Sequence, residues 1–389
     1  MLLAGCGGTP QDASSSRDGS NSQQQSAGAD TTSAGDCADS GCTDSTRVDS
    51  GEASNGKIVF ARRIADGTDI YVIDEDGTHE TRLTRTEPFE EFPGWSPDGQ
   101  KIAFARNSTE LYVINADGSG LKHLGGATYE GAALAPPVWS PDGQNIAFLT
   151  VGTSSEHYYD ALYVINADGT KQTQLIKSSA NSEYEISLGG PTWLPTGNKI
   201  AFSRFTLPPT DSSAESVSAA EDESGLYLIN ADGTGLRKLI SIRAQATPYW
   251  SPDGEKIAIY DNGAINVLNT DGSGRKQLTG DTYDPADLAW SPDGQRIAFV
   301  NSSADLYVIN ADGSGRRRLA NAVGDSTSPT WSPDGERIAF FCPQGPGAST
   351  TDTAVSDLCV INADGTEWTR LVLEVDAAVN NPFALWGSG

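Results

Sequence analysis

The sequence predicts an all-β fold in which small sheets repeat around a ring, a seven-bladed β-propeller. One signature recurs along the chain, and its intact copies, which read W-S-P-D-G-x-x-I-A-F, begin at Trp95, Trp139, Trp290 and Trp331. A second signature, close to L-Y-V-I-N-A-D-G, follows each copy. Such self-similarity indicates one structural unit copied several times, and no stretch shows the period of about 3.6 residues that marks a helix.

Each unit carries four segments with strand character. The first ends at the Trp, the second is Ile-Ala-Phe, the third is Leu-Tyr-Val-Ile, and the fourth is a short run ending in Leu. β-Branched and aromatic runs bounded by Gly, Pro, Asn and Asp are typical of strands. Four antiparallel strands in every 40–57 residues, the spacing between successive Trp residues, match one propeller blade.

Two turn signatures connect these strands. In Ser-Pro-Asp-Gly the Pro presets φ for the first central position of a turn, and the Gly accepts a positive φ. In Asn-Ala-Asp-Gly the Asn and Asp side chains can bond nearby backbone amides. Both predict tight hairpins on one side of the ring, the tight-turn face, because they follow the first and third strands. The longer and more variable connections then lie on the opposite, loop-rich face.

The blade count follows from the second strand, which occurs seven times, starting at Ile58, Ile102, Ile146, Ile200, Ile257, Ile297 and Ile338. The ends of the repeat are out of phase, since no Trp strand precedes Ile58 and nothing follows the Trp strand at Trp386. We therefore expect the C-terminal strand to complete the first blade and close the ring, which removes two open sheet edges. Six blades is the alternative, if one unit is not a full blade.

These repeats resemble those of the TolB-like propellers of bacterial envelope proteins. The resemblance rests on W-S-P-D-G-x-x-I-A-F followed by L-Y-V-I-N-A-D-G, and it covers roughly residues 56–389. It implies a β-propeller fold and a place in the cell envelope. The chain departs from TolB itself, whose six-bladed propeller follows an α/β domain, because a low-complexity segment precedes the repeats here.

The first residues resemble the end of a bacterial lipoprotein leader. Leu3-Ala4-Gly5-Cys6 is similar to the lipobox, although the usual basic region and long apolar stretch are missing. Residues 7–55 are rich in Ser, Gly, Gln, Asp and Thr, and such a segment cannot offset its ordering entropy. We expect a leader remnant at 1–6 with lipidation at Cys6, a disordered linker at 7–55 and a propeller at 56–389. The alternative is a chance match in a cytosolic chain.

Four further cysteines fit an extracytoplasmic protein. Cys342 ends the second strand of the last blade and Cys359 lies in its third strand, so a disulfide between these antiparallel neighbours is feasible. Cys37 and Cys42 in the linker could close a small loop. The alternative for each pair is two free thiols.

The charge of the chain excludes a nucleic-acid-binding protein. The formal net charge is −26, and residues 1–55 contribute −6 of it, so the predicted propeller carries −20. This acidity indicates either simple solubility or, as the alternative, a basic partner or a cation.

Candidate ligand-binding residues cluster in the connections from fourth to first strands, on the loop-rich face. These connections are rich in aromatic and acidic residues, which could stack on sugar rings or hold a basic peptide. The candidates are Glu87, Phe89, Glu90, Phe92, Tyr129, Glu130, Tyr249, Asp281, Tyr283, Asp284, Asp287 and Asp325. For any one of them, blade packing or a solvated loop is the simpler interpretation.

Signals for catalysis are weak. The three histidines, His79, His123 and His157, fall on outer strands or in an insertion, and no G-x-S-x-G motif occurs. We expect no cofactor and no metal. The sequence favours a monomeric, lipid-anchored, extracytoplasmic propeller that binds an envelope protein or a cell-wall or other glycan without catalysis. The alternative is a glycan-active enzyme that uses carboxylates at the channel mouth.

Overall fold

The structure is a computed structural model that describes residues 56–65, 67–85, 89–127, 132–153, 158–178, 185–207, 224–242, 247–280, 288–301, 303, 305–321, 329–343, 355–376 and 386. All of them belong to one compact unit, Glu52–Gly389. The predicted leader remnant and linker, with Cys6, Cys37 and Cys42, lie outside the described residues.

The prediction of an all-β, seven-bladed propeller is confirmed. The strands form seven antiparallel sheets, and every helix-or-strand element in the described ranges is a strand. Blade 1 contains β1 (Lys57–Ile64), β2 (Gly67–Asp74) and β3 (Thr81–Arg82). Blade 2 contains β4 (Glu90–Trp95), β5 (Lys101–Arg106), β6 (Glu110–Asn115) and β7 (Lys122–Gly126).

The first strand is split in two in the next pair of blades. Blade 3 contains β8 (Ala132–Leu134), β9 (Val138–Trp139), β10 (Asn145–Thr153), β11 (Tyr158–Asn166) and β12 (Thr173–Lys177). Blade 4 contains β13 (Glu185–Leu188), β14 (Thr192–Trp193), β15 (Lys199–Leu207), β16 (Gly225–Asn230) and β17 (Arg237–Ile240). Both halves of the split strand pair with the same second strand, β10 or β15.

The last three blades each have four strands paired in chain order. Blade 5 contains β18 (Tyr249–Trp250), β19 (Lys256–Asp261), β20 (Ala264–Asn269) and β21 (Lys276–Gln277). Blade 6 contains β22 (Leu288–Trp290), β23 (Arg296–Val300), β24 (Leu306–Asn310) and β25 (Arg317–Ala320). Blade 7 contains β26 (Thr330–Trp331), β27 (Arg337–Cys342), β28 (Val355–Asn362) and β29 (Thr369–Asp376).

The repeated Phe and Tyr fix the register between second and third strands. Phe148 of β10 lies opposite Tyr163 of β11, and their stacked rings are 5.3 Å apart. Stacked pairs at 5.4–5.9 Å occur at the equivalent positions of blades 1, 2, 4 and 6. Because side chains alternate between the two faces of a strand, this pairing also sets which residues face each neighbouring blade.

The hydrophobic core lies between the blades. Seven clusters of buried side chains each join two neighbouring sheets, and the cluster around Ile58, Phe60 and Phe341 joins blade 7 to blade 1. The sheets therefore form a closed ring, and each blade depends on both neighbours for burial of its two faces.

Trp386, near the C-terminus, completes the ring as predicted. It forms an antiparallel bridge with Ile58 of β1, and its buried side chain packs in the cluster between blades 7 and 1. Its indole N–H donates to the Thr330 carbonyl of blade 7 at 3.0 Å. One C-terminal residue thus contacts both blades of the junction.

A second set of contacts closes the ring without the C-terminus. A Leu in each fourth strand, or directly after it, packs on the Gly of the third-to-fourth turn in the next blade. The seven pairs are Leu83–Gly118, Leu124–Gly169, Leu175–Gly233, Leu239–Gly272, Leu278–Gly313, Leu319–Gly365 and Leu371–Gly77. These Gly residues have φ between +78° and +91°, which a residue with a side chain rarely adopts. The last pair joins blade 7 to blade 1.

The Ser-Pro-Asp-Gly turns form as predicted, with the Asp side chain organising the backbone. In blade 3, Asp142 Oδ1 accepts from the Ser140 hydroxyl at 2.5 Å and from the Gln144 amide at 3.0 Å. These two hydrogen bonds hold the pKa of Asp142 below its ordinary value. The turn therefore presents an ionised carboxylate on the tight-turn face at neutral pH.

A disulfide joins Cys342 of β27 to Cys359 of β28, with the two Cα atoms 6.0 Å apart. Both side chains are fully buried between blades 6 and 7. Within the described ranges, no helix has the length and hydropathy needed to cross a membrane.

Candidate functional site: the central channel

The first strands of the blades line the centre of the ring, which contains a cavity of about 620 Å³. Blades 3 to 7 form its described walls. Each of these blades contributes the Trp that ends its first strand, and four contribute the Pro of the following turn. The lining is Trp139, Trp193, Trp250, Trp290, Trp331, Pro141, Pro195, Pro248, Pro252, Pro292, Pro329, Val138, Thr192, Tyr249, Leu288, Ala289 and Thr330.

Hydrogen bonds between blades hold these Trp side chains in place. Trp139 Nε1 donates to the carbonyl of Gly94, which precedes the Trp of the blade before it, at 3.1 Å. The equivalent bonds, at 2.9–3.1 Å, run from Trp193 to Val138, Trp250 to Thr192 Oγ1, Trp290 to Tyr249, Trp331 to Ala289 and Trp386 to Thr330. The ring of Trp residues is therefore also a ring of hydrogen bonds around the channel.

The indole of Trp95 departs from this pattern. Its side chain is buried, yet its Nε1 has no hydrogen-bond partner among the described residues. By the repeat, its acceptor would belong to the residue before Trp386, which lies outside the described residues. The unmatched donor thus marks the junction where the C-terminal strand enters the ring.

One of these Trp faces is covered by a side chain of the neighbouring blade. The Arg296 guanidinium of blade 6 lies over the Trp331 ring, 4.6 Å from its centroid, and Trp331 is 6 % exposed. The described lining consists mainly of Trp, Pro and aliphatic residues, so the channel has a largely apolar wall.

The described wall of the cavity contains no Asp, Glu, His, Lys or Arg. The nearest acids in sequence are those of the turns, such as Asp253, one residue after the lining Pro252. Hydrogen bonds from the Ser251 hydroxyl and the Glu255 amide lower the pKa of Asp253, so it is ionised at neutral pH. The negative charges of the turn carboxylates thus lie beside the channel mouth on the tight-turn face, while the described channel wall is largely apolar.

Glu90, a predicted ligand-binding residue, is committed to the fold instead. It is fully buried, and one carboxylate oxygen lies 2.6 Å from Nη2 of Arg106. Its backbone is clamped by Thr68 of blade 1, whose hydroxyl donates to the Glu90 carbonyl at 2.6 Å and lies 2.8 Å from the Glu90 amide. This residue holds blades 1 and 2 together and is not available to a ligand.

The other described candidates occupy three different environments. Phe89 is 53 % exposed at the surface. Phe92 is half-buried, packs against the core between blades 2 and 3, and has a φ of +57°, which is rare for a bulky residue. Tyr249 lines the cavity and accepts the Trp290 indole through its carbonyl. Of these predicted residues, the structure therefore brings Tyr249 to the channel.

The remaining candidates lie outside the described residues. They are Glu87, Tyr129, Glu130, Asp281, Tyr283, Asp284, Asp287 and Asp325. Within the described part of the chain, no group of three or more His, Cys, Asp or Glu side chains could hold a metal ion.

Sequence reasoning missed Asp160, a buried carboxylate between blades 3 and 4. It is 1 % exposed, and its Oδ2 accepts from the Leu188 amide at 2.8 Å and the Ser187 hydroxyl at 3.0 Å. Its Oδ1 has no hydrogen-bond partner among the described residues. Burial is the largest influence on this carboxyl and raises its pKa. The sequence contains one signal for this residue. An acid stands just before the Leu-Tyr-Val-Ile segment in several repeats, and Asp160 precedes Ala-Leu-Tyr-Val-Ile.

Comparisons with known proteins agree with this geometry. Residues 215–350 match the family profile described as the TolB beta propeller domain. This segment is TolB-like in sequence, and the described residues as a whole form a β-propeller. A search of curated proteins found no significant match.

Solved structures are similar to this propeller. An oligogalacturonate lyase in complex with manganese has a TM-score of 0.58 and 18 % identity, over 74 % of this chain and 83 % of that chain. A putative 6-phosphogluconolactonase from Bacteroides uniformis has a TM-score of 0.55 and 15 % identity, over 83 % and 97 %. TolB from Acinetobacter baumannii has a TM-score of 0.48 and 15 % identity, over 82 % and 79 %. At these identities the first two similarities show the fold alone.

Proposed function

We propose that this chain is a non-catalytic binding scaffold of the bacterial cell envelope, which holds a protein or a glycan at the central channel. The observation that supports this most is that the described wall of the cavity contains no charged side chain. General acid–base catalysis needs a titratable side chain within about 3 Å of the reacting atom. A described wall made mainly of Trp, Pro and aliphatic residues instead favours binding by shape and apolar contact.

The proposal includes an extracytoplasmic location and a lipid anchor at Cys6. The buried Cys342–Cys359 disulfide supports the location, because disulfides persist in oxidising compartments. The lipobox-like Leu3-Ala4-Gly5-Cys6 supports the anchor. Mass spectrometry of the membrane-bound protein should find acyl groups on Cys6, and Cys6→Ser should release the protein from the membrane. An unmodified Cys6 in membrane-bound protein would refute the anchor.

A charge placed in the cavity tests the binding role. Thr330 lines the cavity and Thr173 lies exposed on the outer strand β12, so Thr330→Arg and Thr173→Arg form a matched pair. After cross-linking in envelope extracts or on glycan resins, the captured ligand should be lost with Thr330→Arg and kept with Thr173→Arg. Equal capture by both variants would show that the ligand does not bind in the channel.

Measuring product release distinguishes the glycan-active enzyme from the binding scaffold. The enzyme's carboxylates would be acids of the fourth-to-first connections such as Asp284 and Asp287, which lie outside the described residues. Wild-type protein should bind envelope glycans without releasing products. Product release that disappears with Asp284→Asn or Asp287→Asn would replace the scaffold by a glycan-active enzyme.

A further inference from the structure

A groove lies on the tight-turn face at the junction between blades 2 and 3. It consists of two adjoining cavities of about 300 and 330 Å³, which share Lys101, Gly143 and Gln144 in their walls. The outer cavity adds Asn145, Asn166 and Asp168, and the inner cavity adds Asp98, Trp139 and Asp142. We call the two cavities together the junction groove.

The junction groove runs outward from the mouth of the channel. Trp139 and Pro141 line both its inner cavity and the central channel. Asn166 and Asp168, in the outer cavity, lie where the third strand of blade 3 ends and turns. Neighbouring strands of a sheet are about 4.8 Å apart, so the two turns of blade 3 are separated by about 10 Å. The groove therefore has the length of a short chain rather than that of a single small ring.

Comparison of the repeats shows why this junction is open. The residue that starts the second strand is Lys or Arg in six blades, but it is Asn145 in blade 3. At the junction of blades 7 and 1, Arg337, the equivalent of Lys101, reaches Glu75 with 2.8 Å between Nη2 and Oε1. The position of Glu75 is occupied in blade 3 by Ala167, which lines the outer cavity. A short amide and a methyl group thus leave space where another junction holds an ion pair.

Several polar groups of the junction groove are left for a ligand. Within the described ranges, the Lys101 ammonium and the Asn145 side-chain amide form no hydrogen bond. Asp142 and Asp168 accept the hydrogen bonds of their own turns through Oδ1, so Oδ2 of each carboxylate is open to another donor. An ammonium only donates, a carboxylate only accepts and an amide does both, so the groove presents donors and acceptors side by side.

The charges around the junction groove nearly balance. Hydrogen bonds from neighbouring hydroxyl and amide groups lower the pKa of Asp98, Asp142 and Asp168, so all three are ionised at neutral pH. Two ammonium groups lie among them. Lys101 contributes to the lowered pKa of Asp98, and Lys122 Nζ donates to the Asp168 carbonyl at 2.7 Å. Three carboxylates and two ammonium groups leave one negative charge, which gives little net attraction for either an anion or a cation.

We propose that the junction groove binds a neutral oligosaccharide, at a site beside the central channel and distinct from it. Each sugar hydroxyl both donates and accepts, so a sugar chain needs the mixture of donors and acceptors that this groove contains. An apolar ligand would desolvate these polar groups without giving them partners. A uronate or a phosphate would face three carboxylates, and a cationic peptide would face Lys101.

Titrations of the full chain followed by ligand-observed NMR test the groove. The neutral probes are maltotriose, cellotriose and tri-N-acetylchitotriose, and trigalacturonate is the anionic comparison. Asn145→Lys restores the residue type of the other blades and fills the outer cavity. Its control, Gln295→Lys, adds the same charge to the tight-turn face of blade 6.

A second pair of variants removes a donor without filling the groove. Lys101→Met keeps most of the apolar stem and deletes the ammonium, and Lys199→Met makes the same change at the equivalent position of blade 4. Thermal unfolding checks that all four variants are folded.

At least one neutral trisaccharide should bind the wild type. Asn145→Lys and Lys101→Met should each lose about tenfold or more in affinity, while both controls stay within about twofold, because a hydrogen bond from a charged donor contributes about tenfold or more. Binding of trigalacturonate alone, no binding of any neutral probe, or equal losses in the controls would each overturn the proposal.

The channel variant separates this site from the proposed function. Thr330→Arg should leave the affinity for the trisaccharide unchanged, because Thr330 lines the channel and not the junction groove. Loss of binding with Thr330→Arg but not with Asn145→Lys would place the sugar in the channel. That result would support the binding role of the channel and contradict the junction groove.

Discussion

At the scale of single residues, the seven repeats let each side chain be compared with its six equivalents. The second residue after the turn Gly has a positive φ in all seven blades. It is Gly120, Gly235, Gly274 or Gly315 in four blades, and His79, Lys171 or Glu367 in the other three. A side chain in this left-handed conformation costs about 1–2 kcal/mol, so three blades tolerate local strain that four avoid.

Lys171→Gly should therefore stabilise the protein. We expect the free energy of unfolding to rise by about 0.5–1 kcal/mol, since the relieved strain exceeds the extra entropy of Gly in the unfolded chain. Urea denaturation measures it. The control is Gly235→Lys, whose Cβ would lie 2.7 Å from Asn230 Nδ2 and which should destabilise the protein. The same sign for both substitutions would contradict the strain argument.

The disulfide replaces a contact that other blades make without covalent chemistry. An Arg at the end of the second strand lies over the third-strand Tyr, at 4.9, 4.1 and 5.8 Å from the ring centroid. The pairs are Arg62–Tyr71, Arg106–Tyr112 and Arg204–Tyr227, and the equivalent positions in blade 7 are Cys342 and Cys359. Blade 7 thus carries its covalent link where other blades stack a cation on a ring.

If the positions are equivalent, an Arg–Tyr pair in blade 7 should restore part of the stability that is lost with the disulfide. Cys342→Ala/Cys359→Ala should lower the free energy of unfolding by about 3 kcal/mol, because the link closes a loop with a sequence separation of 17 residues. Cys342→Arg/Cys359→Tyr should recover about 0.5–1 kcal/mol of it and be insensitive to reductant. Denaturation with and without reductant gives both values. A Cys342→Arg/Cys359→Tyr protein no more stable than the double-Ala protein would show that the positions are not equivalent.

At the scale of elements, the split first strand of blade 4 is held to blade 3 by a buried carboxylate. Asp160 of β11 accepts two hydrogen bonds from β13, from Leu188 and Ser187. Its pKa is raised because burial outweighs these two bonds. Folding therefore favours the protonated form, in contrast to the turn carboxylates such as Asp142, whose pKa is lowered.

Asp160→Asn should change how stability depends on pH. The folded-state pKa of Asp160 is raised, so its favourable contribution is complete below the ordinary Asp pKa of about 3.9 and is lost as pH rises through the folded-state value. The stability of the wild type relative to Asp160→Asn should therefore fall with rising pH across that window. The turn carboxylates contribute the opposite slope equally to both proteins. A constant difference in denaturation midpoint from pH 3.5 to pH 8 would exclude the assignment.

At the scale of the whole molecule, local patterns were enough to predict the ring. Strand type, turn type and blade closure depend on residues close in sequence or on the phase of the repeat, so Trp386 could be placed beside Ile58. The site was harder to predict. In the sequence, Glu90 has the features of a surface acid. Its partners Arg106 and Thr68 are 16 and 22 residues away along the chain and contact it only in the folded protein. The sequence predicts the turn Pro residues as turn formers, and their second role in the channel wall appears only when the blades pack together.

Closure of the ring predicts a large cost for loss of its last Trp. Trp386→Ala should lower the free energy of unfolding by about 3–5 kcal/mol, because it leaves a cavity between blades 7 and 1 and removes the bond to Thr330. Trp368 of blade 7 is 47 % exposed, so Trp368→Ala is a matched control expected to cost about 1 kcal/mol or less. Equal costs for the two would argue against docking of the C-terminus.

The most direct test of the closed, seven-bladed ring is the position of residue 386 in the folded protein. Replacing Trp386 by p-benzoylphenylalanine keeps a large aromatic side chain there and makes it photoreactive. Mass spectrometry of the irradiated monomer should find its cross-links within β1 near Ile58 and within β26 near Thr330. Cross-links confined to a second molecule, or to blades 3 to 5, would contradict the closure on which the channel depends.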